Sequence, residues 1–287
     1  MRVTDAAIAT SIPPVMRRRG PGGIEAGPAW RAACAASWPA PGWRVLTVNP
    51  DAERDRLGEL PAQLETLAAQ PGVAEAYGRP GAWIADALAR AVATGAGVVG
   101  LVNADILLDL DAAQRAALVD RARQGMVAFS RTDVLHRHQG EGTVYRYGYD
   151  LVLMPREMAA RLDLSGFAFG VPWWDYWIVL DAMLQDLPVI AAQCEGVRHL
   201  VHPQAWDRPG WRRALGVMVR HLAPRRAALS RLDPGPVAEA LADLMLSIAP
   251  QGEAGFMIDE LMITAGTRFG IEVVRMAERN AWRLEKT

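Results

Sequence analysis

The sequence predicts an α/β protein built on a largely parallel sheet. Short apolar runs alternate with helical patterns through the first 155 residues. The run Val98–Val102 is continuously apolar over strand length, as a strand buried on both faces requires. Proline and glycine punctuate the junctions between these segments, where each regular pattern stops.

Taken in order, Ala6–Ile12 reads as a first strand ended by Pro13-Pro14, and Pro28–Trp38 as a helix stopped by Pro39 and Pro41-Gly42. Trp43–Val48 is a second strand, running out in Asn49-Pro50-Asp51. Pro61–Ala69 reads as a helix and Val73–Tyr77 as a short third strand. Ile84–Thr94 repeats apolar residues at three and four positions, a helix closed by Gly95 and Gly97. Beyond Val98–Val102, residues 111–124 are helical and Met126–Phe129 is another strand. The pattern then changes. Tyr145, Tyr147 and Tyr149 alternate onto one face of Thr143–Tyr149, and Leu151–Met154 continues extended, which predicts antiparallel additions to the sheet. Pro172 opens a helix through Leu184. From Trp211 onward the pattern is helical, broken around Asp233-Pro234-Gly235-Pro236 and Pro250-Gln251-Gly252, with one or two helices across Phe256–Arg283.

Composition narrows the function. At 51% apolar and 22% charged, the 287-residue chain is too apolar for disorder and long enough to bury a large core unaided. A net charge of −1 offers no basic field for a nucleic-acid backbone. The one local basic run, Arg17-Arg18-Arg19, reads as a solvated loop beside Gly20-Pro21-Gly22-Gly23, or as a face for an anionic ligand. Cys34 and Cys194 stand far apart, without zinc or disulfide spacing. No apolar run reaches the ~20 residues of a membrane span, and no leader pattern opens the chain. A cytoplasmic bacterial protein is the expectation, the organism resting on the Ala/Arg/Gly bias.

In parallel sheets ligands sit outside the carboxyl ends of the strands. Asn103 and Asp105 lie there, two residues apart and so on one side of an extended chain. Paired oxygen donors could hold Mg²⁺ or Mn²⁺ and, through it, a diphosphate; an Asx turn ending the strand explains them equally. His136 and His138 near Asp133 suggest a second metal site or a loop over the first. No glycine-rich phosphate loop and no hydrolase nucleophile elbow is present.

An ordered set of segments over residues 5–210 resembles the GT-A fold glycosyltransferases, which use nucleotide diphosphate sugars. These are Ile8-Ala9-Thr10-Ser11-Ile12-Pro13, Val48-Asn49, Arg79-Pro80-Gly81 through Asp105, Pro172-Trp173-Trp174-Asp175-Tyr176-Trp177 and His199-Leu200-Val201-His202-Pro203. The resemblance implies a GT-A-like, mostly parallel mixed sheet flanked by helices. Residues 1–210 would form the catalytic domain and 211–287 a helical C-terminal extension packed on it. Asn103-Ala104-Asp105 takes the place of the family's DxD motif, with asparagine for the first aspartate. Asn103, Asp105 and His202 are then the implied ligands of a divalent cation, Mn²⁺ or Mg²⁺. Thr10, Ser11, Ile12, Asn49, Arg79 and Asp86 are implied around the nucleotide, with a UDP-sugar favoured. Asp175 is implied as the base for a hydroxyl acceptor, a glycan, giving inversion. Trp173, Trp174 and Trp177 offer flat apolar faces to a sugar, or else are core. Two other classes stay open: a catalytically silent nucleotide- or carbohydrate-binding protein on the same fold, favoured by Asn103, and a nucleotidyltransferase, disfavoured by Ser11-Ile12-Pro13-Pro14.

Overall fold

The structure is a computed structural model and describes residues 5–19, 23–202, 207–232, 235–249 and 256–285. Pro203, Gly20–Gly22 and the predicted breaks at 233–234 and 250–252 lie outside them. The elements run β1 (Ala6–Thr10), α1 (Gly27–Ser37), β2 (Trp43–Asn49), α2 (Asp51–Arg54), β3 (Leu64–Ala68), α3 (Val73–Tyr77) and α4 (Ile84–Ala93). Next come β4 (Val98–Val102), β5 (Ile106–Leu108), α5 (Ala112–Ala122), β6 (Met126–Val134), β7 (Thr143–Val144), β8 (Leu151–Pro155) and α6 (Arg156–Ala159). The chain continues with α7 (Trp174–Leu184), β9 (Val189–Leu200), α8 (Arg208–Leu222), α9 (Arg226–Leu232), α10 (Val237–Ile248), α11 (Phe256–Ala277) and β10 (Ala281–Arg283).

These strands form one mixed, mostly parallel sheet in the order β10-β9-β6-β8-β4-β1-β2-β3, with β5 on β9 and β7 on β6. Only β8 on this path runs opposite to its neighbours, pairing antiparallel with both β4 and β6. The carboxyl ends of β1, β2, β4, β6 and β9 therefore share one edge with the amino end of β8.

Strand alternation divides the core into two layers. Ala7, Ala9, Val99 and Leu101 face a layer with α4, α7, α8, α10 and α11. Ala6, Ile8 and Val98 face a second layer with α1 and α5, where Trp30, Trp38 and Leu118 lie. In the first layer α11 packs against α7, through side chains such as Met262 and Phe269.

Two predicted elements exchange type. Leu64–Ala68 is a strand in register with Val45–Asn49 of β2, and Val73–Tyr77 is a short helix between left-handed Gly72 and Gly78. The Ala/Gln/Leu/Glu content around residue 64 favours a helix locally, but pairing along an open sheet edge outweighs that small preference. Phe256–Arg283 is one helix followed by a short strand, because Ala281–Arg283 pairs with Ala191–Gln193 of β9. The extended tyrosine segment narrows to Thr143–Val144.

Candidate active site

The strand-edge chemistry begins at the end of β4. Ile106 donates its amide to Asn103 O at 3.1 Å, closing a turn that carries Asp105. Two indoles fix that turn, Trp30 of α1 and Trp38 just beyond it: Trp30 Nε1 donates to Asp105 O and Trp38 Nε1 to Ile106 O, both at 2.8 Å. The turn leads into β5, where Ile106 pairs with His199 of β9.

His199 reaches this position through an irregularity in β9. Gln193 is in register with Ser130 of β6, but the next matched pair is Thr132 with Arg198, so β9 bulges between them. Gly196 makes the bulge feasible: a Cβ there would lie 2.3 Å from the Asp109 carbonyl oxygen. Downstream of the bulge, the ring nitrogens of His199 and His202 point at one carboxylate oxygen. Asp105 Oδ2 is 3.5 Å from His199 Nε2 and 3.4 Å from His202 Nε2. One ligand atom from each of the three residues falls within 4.8 Å of the others. Two donors each about 2.1 Å from a single ion lie roughly 3.0–3.4 Å apart at ordinary coordination angles, so small movements suffice. The donor set, one carboxylate and two imidazoles, suits Mn²⁺ and related transition ions better than Mg²⁺.

Behind His199 stands the support that a ligating histidine uses. Its Nδ1 is 2.8 Å from Asp133 Oδ1, which holds the ring and leaves Nε2 facing Asp105. Asp133 also takes a 2.8 Å bond from Arg131 Nε, and Arg131 Nη1 reaches Asp150 Oδ2 at 3.1 Å. Asn103 Nδ2 donates to Asp150 Oδ1 at 2.7 Å, so its amide is turned to the network beside the cluster. Electrostatics follow the contacts. Burial alone would raise the Asp105 carboxyl, but hydrogen bonds from His199 and His202 and the charge of Arg18 hold it well below the usual carboxylate range. Burial opposes charge on His199 too, yet its bonds to Asp105 and Asp133 leave the imidazole raised.

Asp175 lies farther along the same edge. Trp173, the residue before α7, takes φ +84°, unusual for a side chain of that size, and starts the helix with Asp175 in its first turn. The Asp175 Oδ2 accepts the Tyr149 amide at 3.4 Å. Gly148 permits the approach, since a Cβ there would come 2.7 Å from that oxygen. Burial, with the neighbouring charge of Asp150 adding to it, pushes the Asp175 carboxyl up to about 7.

The remaining residues separate. Trp173, Trp174 and Trp177 are at most 3% exposed, Trp173 edge-on to Trp211, Trp174 edge-on to Phe169 and Trp177 stacked on Phe167, so their surface is spent on the core. Trp177→Ala is accordingly expected to destabilise the fold by roughly 3–5 kcal/mol, read as a lower denaturation midpoint. A sugar platform would instead raise KM at unchanged stability. Asn49, at the end of β2, gives its amide to Ile12 O (2.8 Å), Glu53 (3.0 Å) and Ser11 Oγ (3.3 Å) and accepts from Thr47, knotting the ends of β1 and β2. The Thr10 hydroxyl is buried without a hydrogen-bond partner among the described residues. Asp86 braces α4 by accepting the Gln70 amide at 2.8 Å and Arg90 Nε at 3.1 Å, and Arg79 is exposed. His136 and His138 are exposed, and Asp133 belongs to His199 instead.

Two residues of the site escape sequence reasoning as ligand and neighbour. His199 shares a strand side with Val197, a signal legible only once residues 189–200 are recognised as extended. Arg18 is not the solvated residue expected of its loop: Nη2 sits 2.8 Å from Asp105 Oδ2, and its side chain is 16% exposed.

No family model matches the sequence, and no curated protein matches it. Among solved structures, the chain is similar to a mannosyltransferase from Pyrobaculum calidifontis in complex with GDP-Man and Mn²⁺, at 14% identity and TM-score 0.43, over 97% of this chain and 87% of that one. It is similar to a protein of Desulfovibrio desulfuricans assigned as a nucleotide-diphospho-sugar transferase, at 12% identity and TM-score 0.43, over 96% and 99%. TarS of S. aureus is similar at 9% identity and TM-score 0.42, over 95% and 90%. The likeness is one of chain course and carries no residue's role into this chain. The sheet itself is mixed and mostly parallel with helices on both faces, the α/β arrangement that the sequence predicts.

Proposed function

We propose that the chain transfers a sugar from a nucleotide diphosphate donor, UDP-linked in the favoured case, to a hydroxyl acceptor such as a glycan. The observation that carries this reading is the Asp105, His199 and His202 cluster, with Asp133 backing His199, at the carboxyl edge of the sheet. Asp105, His199 and His202 would hold a divalent cation; Asn103 would serve through Asp150 rather than as a ligand. A cation held there would supply positive charge to offset that of a leaving diphosphate. Asp175 accepts the acceptor's proton, and its carboxyl near pH 7 is matched to that task. Acting as that base, Asp175 would give inversion in one displacement.

The test is turnover of UDP- and GDP-sugars over an acceptor panel, with Mn²⁺, with Mg²⁺ and with chelator. Metal-dependent release of the nucleoside diphosphate is the expected result. Tight donor binding with no release across the panel would favour the silent binding protein, to which Asn103 in the DxD position also points.

A further inference from the structure

Arg18 is the residue of this edge whose placement the transfer reaction leaves unexplained. Its Nη2 donates to Asp105 Oδ2 at 2.8 Å, the same oxygen that faces both histidines. The main chain around it is anchored: Arg18 N–H donates to Glu25 Oε1 at 2.7 Å, and Ala26 N–H donates to Arg18 O at 2.7 Å. Nη1 donates to the neighbouring Arg17 carbonyl at 2.9 Å. Among the described residues its buried Nε has no hydrogen-bond partner, so the guanidinium fork is incompletely used where it rests.

We infer that Arg18 is an exchangeable counter-ion of Asp105: it competes with a divalent cation for Oδ2, and it turns to the diphosphate when cation and nucleotide enter together. The inference rests on the proposed function and deepens it. One carboxylate oxygen cannot serve a guanidinium at 2.8 Å and a divalent ion at full strength, because the two cations repel each other across it. Displaced, Arg18 stays tethered by Glu25 and Ala26 beside the site, and a planar fork pairs well with phosphate oxygens. The device makes metal and diphosphate cooperative: each removes a cost the other would meet alone.

The experiment measures MnCl₂ binding by electron paramagnetic resonance, and UDP and GDP binding by calorimetry with and without saturating Mn²⁺. The proteins are the wild type, Arg18→Gln, Arg18→Lys and Asp105→Asn, with thermal denaturation as the folding check. Arg18→Gln should bind Mn²⁺ alone about 10-fold to 100-fold more tightly than the wild type, and bind the nucleoside diphosphate in the presence of Mn²⁺ about 10-fold or more weakly. Arg18→Lys should retain much of the antagonism to Mn²⁺ while losing part of the diphosphate affinity, since it keeps the charge without the fork. Mn²⁺ affinity that Asp105→Asn abolishes but Arg18→Gln leaves unchanged overturns the inference and spares the proposed function. Absence of Mn²⁺ binding from the wild type and both Arg18 variants overturns both. Weakened binding of Mn²⁺ and diphosphate together would make Arg18 a merely structural residue.

Discussion

Asp105→Asn is expected to lower donor turnover by about 10²–10³-fold or more, the scale set by removing one charge-stabilising group from a reaction centre. The substitution keeps the volume of the side chain and the turn clamped by Trp30 and Trp38. It removes the negative charge that Arg18, His199 and His202 all face. The loss should appear in kcat with Mn²⁺ saturating for the wild type, and direct Mn²⁺ binding should weaken in parallel. Full turnover in the variant, at wild-type folding, would take the cluster out of the reaction.

Asp175→Asn is expected to cost about 10²–10⁴-fold in kcat/KM, the range of a positioned general base. Its signature is in the pH dependence. With a carboxyl pushed up to about 7, the wild-type rate should rise tenfold per pH unit below 7 and level above it. The variant should lack that limb. Stability moves the other way. The folded carboxyl titrates above its unfolded value, so below about pH 4 both states are protonated and the site costs nothing. Between pH 4 and 7 the unfolded chain ionises first and stability falls; above 7 the full cost persists. Asp175→Asn should therefore be more stable than the wild type at neutral pH by about 1–3 kcal/mol, with the difference fading toward pH 4. Denaturant unfolding at several pH values measures this. A variant less stable than the wild type at pH 8 would mean that the carboxylate is structurally paired.

The strands that place the site were legible because burial on both faces writes itself as apolar runs. Val98–Val102 and Ala6–Thr10 are such runs, and the turn after the first of them led directly to Asp105. β9 was not legible, since Gln193, Glu195 and Gly196 interrupt its apolar pattern where the strand bulges. With β9 hidden, His199 could be seen only as a neighbour of His202. The tryptophans around Asp175 were legible as large apolar surface but ambiguous in direction. What decides it is α8 and α11 packing over α7, a long-range contact that no local window contains. Arg18 was ambiguous for the same reason: three successive arginines read as solvated, and the partner that captures the middle one lies 87 positions away.

The reversed course of β8 has a consequence for how such a scaffold can diverge. Because β8 sets out from the rim at which β6 finishes, the connection from Leu135 to Asp150 leaves and returns on one side of the molecule. Residues 135–142 of it belong to no strand, so their length and composition can drift while Thr143–Val144 stays paired with β6 and Gly148–Asp150 stay with the site. Descendants of this chain can thus acquire new recognition loops there, over an inherited and unaltered platform.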